Sequence, residues 1–337
     1  MQGIEQKMSE SNGRSLNSVF RQRLNERKKK LEVALALIDG DGDLEFANLL
    51  GDVDAALAKL DNGTFGRCEA CEGYVETDRL LADPLVRVCI SELSDTQRQS
   101  LEDDLELAST IQRGLLPRMS LGHASWKADF VYEPLGPVSG DYCDVIPAGD
   151  DLYFILGDVS GKGMAASLLM SSLHAIFHTL VPLKLELSEL MSRANHLLVE
   201  SSLSNQFVTL ICGKANGRGE LEIVNAGHLP PILIKNGMKG ELNFAGLPLG
   251  MFVETHFTSS KVKLNPGDSL LLFTDGVTET MNEAGTEFGA RGLFDAINGD
   301  GFTEPSALIR KCLAGVSEHR GDAERTDDLT VLALTYS

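Results

Sequence analysis

The sequence predicts an α+β protein: antiparallel β-sheets across roughly its last two thirds, behind a largely helical N-terminal stretch. Three observations carry this. From about residue 119 onward, apolar runs of strand length alternate with turns, one of them the hairpin dipeptide Asn236-Gly237. Two stretches of helical periodicity interrupt these runs in the middle and two more follow near the end. Ahead of them, residues 16–60 place apolar side chains at three-, four- and seven-residue spacing.

Residues 1–15 are polar and contain Gly and Ser, so they are expected to be disordered. A helix is predicted from Leu16 to Ile38 on Phe20, Leu24, Leu31, Leu35 and Ile38; its basic run, Arg21 to Lys30, reads as a charged helix face. Asp39-Gly40-Asp41-Gly42-Asp43 suggests a calcium loop, but Leu44 and Leu50 stand where an EF-hand needs its glycine and its glutamate. The segment is instead predicted to be the tip between two antiparallel helices. The second helix carries Phe46, Leu49, Leu50, Val53, Leu57 and Leu60 on one stripe.

Next comes Gly63-Thr64-Phe65-Gly66-Arg67-Cys68, with Cys71, Cys89 and Glu92 completing a C-x2-C-x17-C-x2-E pattern. This is one residue type short of a four-cysteine zinc ribbon. The hairpin followed by Gly-Thr-Phe-Gly-x-Cys resembles the DksA/TraR zinc-finger family over residues 16–92. The resemblance implies a Zn2+ ion on Cys68, Cys71, Cys89 and Glu92, with Glu92 standing where that family has a cysteine. A carboxylate can take that place at a cost in affinity, and a fold without metal is the alternative. Members of that family act on RNA polymerase, so the module is expected to dock on polymerase or another regulator and to control the C-terminal domain.

Residues 93–118 form a linker helix. Leu101, Leu105, Ala108, Ile111 and Leu115 make one narrow apolar seam that Pro117 ends. The seam fits either pairing with a second copy, giving a homodimer, or packing against the chain's own C-terminal domain.

In the C-terminal domain, strands are predicted at Trp126–Tyr132, Leu152–Leu156, Phe207–Gly213, Leu221–Val224, Pro231–Lys235, Val262–Leu264, Ser269–Phe273 and Leu329–Leu334. Helices are predicted at Met164–Leu180, Leu187–Ser201, Ala290–Asn298 and Pro305–Glu318. Acidic residues recur at the strand ends. Asp158 closes one apolar run within Gly157-Asp158-Val159-Ser160-Gly161-Lys162-Gly163, and Asp275-Gly276 closes another. Asp327-Asp328 opens the last strand, and Gly140-Asp141-Tyr142-Cys143-Asp144 precedes the first run. Such carboxylates, converging on one cleft, would repel one another unless a cation lay between them, and an all-oxygen set suits a hard divalent metal.

The order of these motifs, together with Asn225-Ala226-Gly227-His228 and Thr274-Asp275-Gly276-Val277-Thr278-Glu279, resembles the SpoIIE and RsbU branch of the protein phosphatase 2C superfamily over about residues 119–336. The domain is therefore taken as residues 119–337. The resemblance implies a two-sheet antiparallel sandwich flanked by helices, α/β/β/α, and a metal-dependent serine/threonine phosphatase holding two Mn2+ or Mg2+ ions. Carried over residue by residue, Asp158 bridges both ions, and Asp275 and Asp327, with Asp328 the other candidate of that pair, complete the first. The Val159 carbonyl and Asp141 serve the second ion, and Asp144 is an outer-shell or third-metal contact. Catalysis is expected to depend on Asp158 and Asp275. The implied substrate is a phosphorylated anti-sigma-factor antagonist in a bacterial partner-switching pathway. Leu107-Ala108-x-x-Ile111-Gln112-x-x-Leu115-Leu116-Pro117 likewise resembles the helix that leads into RsbU-type domains.

His228 offers itself as a general acid or as a histidine that orders a turn, and Lys162 as a phosphate contact or a solvated lysine. Cys143 lacks the Arg-rich anion loop a cysteine phosphatase uses and reads as a packing residue. The net charge of -19 argues against sequence-specific nucleic-acid binding. No apolar run approaches the length a membrane span needs, and no signal-peptide pattern opens the chain, so a cytoplasmic protein without membrane contact is expected. The rival from another class is a non-catalytic, DksA-like polymerase-binding regulator with a degenerate phosphatase fold. The intact set Asp141, Asp158, Asp275, Asp327 speaks against it.

Overall fold

The computed structural model describes residues 17, 20–25, 27–29, 31–32, 43–71, 73–117, 121–201, 206–244, 246–298 and 302–337. The expected disordered N-terminus (1–15) and the acidic tip at 39–42 lie outside the described residues. Two compact units divide the chain, Met1–Asp103 and Asp104–Ser337.

In the first unit, Phe20, Leu24 and Leu31 share one buried cluster with Val53, Ala56 and Leu60 of the helix Asp43–Asp61. The four- and seven-residue spacings place these side chains on facing stripes, as burial of an amphipathic pair requires. Phe65, just past the helix, sets its ring 5.1 Å from that of Phe20. This carries the chain back over the hairpin and brings Cys68 and Cys89 into the same cluster.

The second unit is a sandwich of two wholly antiparallel sheets. Its strands are β1 (Leu121–His123), β2 (Trp126–Glu133), β3 (Tyr142–Ala148), β4 (Asp151–Val159), β5 (Val208–Asn216), β6 (Glu220–Ala226), β7 (Ile232–Lys235), β8 (Met238–Glu241), β9 (Ser260–Lys263), β10 (Ser269–Phe273) and β11 (Leu329–Tyr336). One sheet runs β1-β2-β11-β10-β7-β8 and the other β3-β4-β5-β6-β9. Between them lies a layer of Trp126, Phe130, Phe154, Leu156, Leu272 and Leu332 with their neighbours. The outer face of the five-stranded sheet is covered by the helices Met164–Leu180 and Leu187–Ser201, and that of the six-stranded sheet by Gly289–Ala296 and Pro305–Arg320. The expected α/β/β/α architecture is therefore present. With both faces covered, the central strands read as continuous apolar runs rather than alternating ones; all five residues of β10 are buried.

Three strands and one short helix depart from the sequence expectation. The strands β1, β3 and β8 are all edge strands, two of them only three or four residues long. β3 contains Asp144 and Pro147, both poor strand formers, and an edge position tolerates the missing proline N–H. Asp275–Thr278, where the sequence predicts no element, makes a single helical turn.

The expectation about membrane-length runs also needs correction. Met164–Leu183 is long and apolar enough to cross a bilayer by length and composition. Its polar residues are serine, histidine and threonine, none formally charged, so its apolar excess is not visibly interrupted. Here that excess packs on the sheet: Leu169, Met170, Leu173 and Phe177 are buried in the core.

Candidate metal centre

Strand register brings the acidic motifs together. β3 and β4 are antiparallel neighbours with Tyr142 opposite Gly157, so the start of one strand lies at the end of the other and Asp141 adjoins Asp158. In the second sheet β10 pairs with β11, Phe273 opposite Val331, which places Asp275 beside Asp327 and Asp328. Side-chain bonds tie the two pairs across the sandwich. The Thr274 hydroxyl donates to Asp141 Oδ2 at 2.9 Å, and the Thr330 hydroxyl donates to the same oxygen. Thr274 follows the last residue of β10 and Thr330 is the second residue of β11, the strands that deliver Asp275 and Asp327.

Two glycines make this convergence sterically feasible. A Cβ on Gly276 would stand 1.8 Å from the Asp328 carbonyl oxygen, so only a bare backbone lets the Asp275 turn pass the start of β11. A Cβ on Gly140 would sit 3.2 Å from the Val159 carbonyl and 3.6 Å from Asp158 Oδ1. The cradle above Asp158 and Val159 thus stays open because residue 140 has no side chain.

The charges interact as a cluster. Burial, then repulsion from Asp275, Asp327 and Asp328, pushes the Asp158 carboxyl up to about 7 against an ordinary 3.8, with Lys162 partly offsetting this. Asp141, 1% exposed, is held well above the ordinary carboxylate range by burial and by Asp158, against the pull of the Thr330 and Thr274 hydrogen bonds. Burial and Asp327 raise Asp275, while the Gly276 N–H and Lys162 act in the opposite direction. The Lys162 ammonium lies 2.9 Å from Asp327 Oδ2 and 3.2 Å from the Thr326 carbonyl.

This donor set fits a hard cation. All its ligand atoms are oxygens, the Asp158 carboxyl is raised by burial and then by its acidic neighbours, and the Lys162 ammonium already sits on Asp327 as a stand-in positive charge. The oxygens are spread out. Among the described residues, the groups of three acidic, histidine or cysteine ligands with all atoms within 4.8 Å are Cys68/Cys71/Cys89 and Asp144/His174/His178, and the carboxylates around Asp158 stand further apart.

Not every sequence candidate joins the cluster. Asp328 uses both oxygens on backbone, Oδ1 accepting from the Leu135 N–H at 2.6 Å and Oδ2 from the Gly140 N–H at 3.3 Å. These bonds position the Asp141 loop and orient the Asp328 carboxylate beside the cluster. Asp144 lies elsewhere: strand alternation turns it to the outer sheet face, where Oδ2 meets the Tyr142 hydroxyl and His178 Nε2, each at 2.9 Å. His228 is 8% exposed, and burial lowers its imidazole to about 4, so it stays neutral. Its N–H and carbonyl are both held by the Asn225 amide, at 2.8 and 3.0 Å, which orders the turn, and its Nδ1 lies 2.9 Å from the Thr209 hydroxyl. Cys143 is fully buried and its thiol is raised by burial, as a packing residue should be.

Gln112 is the polar residue that helix periodicity missed. It is 4% exposed, donates from Nε2 to the Ser139 carbonyl at 2.7 Å and accepts the Ser139 N–H at 3.0 Å. Ser139 Oγ in turn accepts the Asp141 N–H at 3.0 Å. The linker helix is thus wired to Asp141 through one amide, while Ile111, assigned to the apolar seam, is 57% exposed.

In the N-terminal unit, Cys68, Cys71 and Cys89 converge, with Cys71 Sγ 3.6 Å from Cys89 Sγ. Cys68 Sγ accepts N–H groups of Cys89 and Ala70 at 3.3 and 3.4 Å, and these, the Cys89 N–H foremost, bring its thiol down to about 7. For Cys71 the Gly73 N–H acts downward, but the neighbouring thiols of Cys89 and Cys68 carry it up to about 11. Glu92 does not join them. It ends an exposed 3-10 turn, Ile90–Glu92, whose first N–H is held by Glu76 at 3.0 Å, and the structure brings together three cysteine ligands without it.

The family described as Stage II sporulation protein E (SpoIIE) matches residues 148–337, more than half of the chain and most of the sandwich. The chain belongs to the SpoIIE family. Protein IcfG of Synechocystis sp. is 27% identical over 263 residues, covering 68% of this chain and 41% of that protein. Phosphoserine phosphatase RsbU of Bacillus subtilis is 25% identical over 191 residues, covering 56% of this chain and 57% of RsbU. The chain thus spans about half the length of these curated relatives. Among solved structures, the SiaA-PP2C domain of Pseudomonas aeruginosa superposes with a TM-score of 0.63 at 20% identity, covering 73% of this chain and all of that domain. This SpoIIE-family sandwich therefore has the protein phosphatase 2C fold.

Proposed function

We propose that this SpoIIE-family chain is a metal-dependent protein serine/threonine phosphatase. The observation that carries the reading is the half-buried acidic cluster at one end of the sandwich, with Asp158 raised to about 7 by burial and its acidic neighbours. Asp158, Asp275, Asp327 and Asp141 would hold two Mn2+ or Mg2+ ions, with the Val159 carbonyl as a further oxygen. When bound, such ions supply an activated water at neutral pH and charge compensation for the phosphoryl oxygens. The chain's own residues do the rest. Thr274 and Thr330 fix one oxygen of Asp141, Asp328 holds the loop that carries it, and Lys162 offers a cation at the exposed rim.

The surroundings of the partly exposed Asp327 edge support a protein substrate. The cleft beside Asp327, lined by Gly276, Thr280, Met281 and Arg325, encloses only about 10 Å³, whereas a cavity of about 680 Å³ lies among Asp150, Lys184, Lys214 and Arg218 and holds none of the clustered carboxylates. A shallow acidic rim suits a phosphorylated side chain presented on a protein surface better than an enclosed small molecule. RsbU carries the name phosphoserine phosphatase. The substrate proposed here is a phosphoserine or phosphothreonine on an anti-sigma-factor antagonist, in a partner-switching pathway. The N-terminal DksA/TraR-like unit, with zinc on Cys68, Cys71 and Cys89, would act as the regulatory module.

The test is release of phosphate from an aryl phosphate and from candidate phosphorylated antagonist proteins, with Mn2+ or Mg2+ added and chelated, and with residues 1–92 present or removed. Metal-stimulated hydrolysis should vanish in Asp158→Asn and Asp275→Asn. Wild-type activity in either variant would end this reading.

A further inference from the structure

A second constellation lies on the outer face of the five-stranded sheet. We propose that Asp144 of β3 with His174 and His178 of the helix Met164–Leu180 forms a transition-metal site of the zinc class, separate from the acidic cluster and clipping helix to strand. The two histidines are four residues apart and so lie on one helix face, one turn apart, with ring centroids 4.0 Å from each other. Two histidines at this spacing on a helix are a recurrent way to present imidazoles to one ion.

The distances fit. Asp144 Oδ2 is 3.3 Å from His174 Nδ1 and 2.9 Å from His178 Nε2, and all three ligand atoms lie within 4.8 Å of one another. Zinc bonds of about 2.0–2.1 Å in a tetrahedral site put neighbouring ligand atoms roughly 3.3 Å apart. One edge already has that length, and the other, now at hydrogen-bond distance, needs to open by about 0.4 Å. Nitrogen donors with one carboxylate select zinc and its neighbours in the transition series over Mg2+ or Ca2+.

Three further features belong to a ligand set. His174 Nδ1 is buried and makes no hydrogen bond, although it faces a carboxylate. Asp144 is buried, and its orientation is fixed from outside: Oδ1 accepts the Val145 N–H at 2.8 Å and Oδ2 the Tyr142 hydroxyl at 2.9 Å. Such partners are what orient metal-binding carboxylates in general. The His178 side chain is 45% exposed, which leaves an entry path and room for water as the fourth ligand. An ion here would join the strand that starts after Asp141 to the helix that follows the Asp158 loop.

The full-length chain, stripped of metal and returned to excess Mg2+ to occupy oxygen-only sites, should be titrated with Cd2+ and followed by cadmium NMR, and with Zn2+ followed by thermal unfolding. Thiolate-bound cadmium resonates far from nitrogen- and oxygen-bound cadmium, so the cysteine cluster of the N-terminal unit is read separately. The expected result is a nitrogen/oxygen resonance retained in Cys71→Ser and lost in both His178→Ala and His174→Gln. Zn2+ affinity measured from the unfolding shift should fall at least about tenfold in each histidine variant. His178 is half-exposed, so its replacement leaves the core intact and circular dichroism should match the wild type. Absence of that resonance in the wild type, or its survival in both histidine variants, overturns the site.

Discussion

Replacing Asp158 by Asn isolates the electrostatic cost that the acidic cluster carries in the absence of metal. The Asp158 carboxyl is raised from 3.8 to about 7, chiefly by burial and then by Asp275, Asp327 and Asp328. That rise, at about 1.36 kcal/mol per pH unit, sets a ceiling of about 4 kcal/mol, and solvent relaxation around a partly exposed group brings the expectation to about 2–3 kcal/mol. The sign follows from linkage. Because the folded-state value lies above the unfolded one, the relative stability Asp158 confers is complete below about pH 4 and is lost as pH rises through about 7. Asn cannot ionise, so metal-free Asp158→Asn should be the more stable protein at about pH 8, by roughly 5–10 °C in unfolding midpoint for a unit of this size. The gap should shrink toward about pH 5. Scanning calorimetry of both proteins in chelator, repeated with Mn2+, measures it. Mn2+ should raise the wild-type midpoint and leave the variant nearly unmoved, because binding to the folded state stabilises only where a site exists. Equal pH dependence of the two midpoints in chelator refutes the burial-and-repulsion account of the cluster.

Asp328→Ala strands the Leu135 and Gly140 N–H groups and should lower Mn2+ affinity about 10–100-fold in calorimetric titration, with activity partly restored at high metal. Gly276→Ala drives a methyl group into the Asp328 carbonyl and should cost upwards of about 3 kcal/mol in denaturant unfolding. Lys162→Met removes the ammonium from Asp327 and should shift the Mn2+ dependence of aryl phosphate hydrolysis to lower concentration. Glu92→Ala should change Zn2+ affinity of the N-terminal unit by less than about twofold, whereas Cys71→Ser should lower it by more than about tenfold, in competition with a chromogenic chelator. Gln112→Ala leaves the Ser139 peptide without its side-chain partner and should reduce hydrolysis more than it reduces stability, since Asp141 hangs from that same serine.

How far each residue was legible in the sequence depends on what holds it in place. β4, β10 and β11 could be read directly because both their faces are buried, and Leu270-Leu271-Leu272-Phe273 leaves few alternatives. The carboxylates at their ends were readable for the same reason: a charge that terminates such a run must sit at a rim. β3 was not readable, because an edge strand can carry Asp144 and Pro147 without penalty and so loses the apolar signature. That one ambiguity propagated. Without β3 as a strand, the alternation that sends Asp141 toward the acidic cluster and Asp144 to the opposite face is invisible, and the two aspartates look like neighbours in one site. Glu92 failed differently, since a C-x2-E spacing fixes distance along the chain but not the turn after Cys89, and a 3-10 turn held by Glu76 leaves it out of the thiol group. His174 and His178 could have been found by their four-residue spacing on an otherwise apolar helix, where an unpaired histidine is costly. Their partner could not, because only the pairing of β3 with β4 and the packing of the helix across that sheet set Asp144 beneath them.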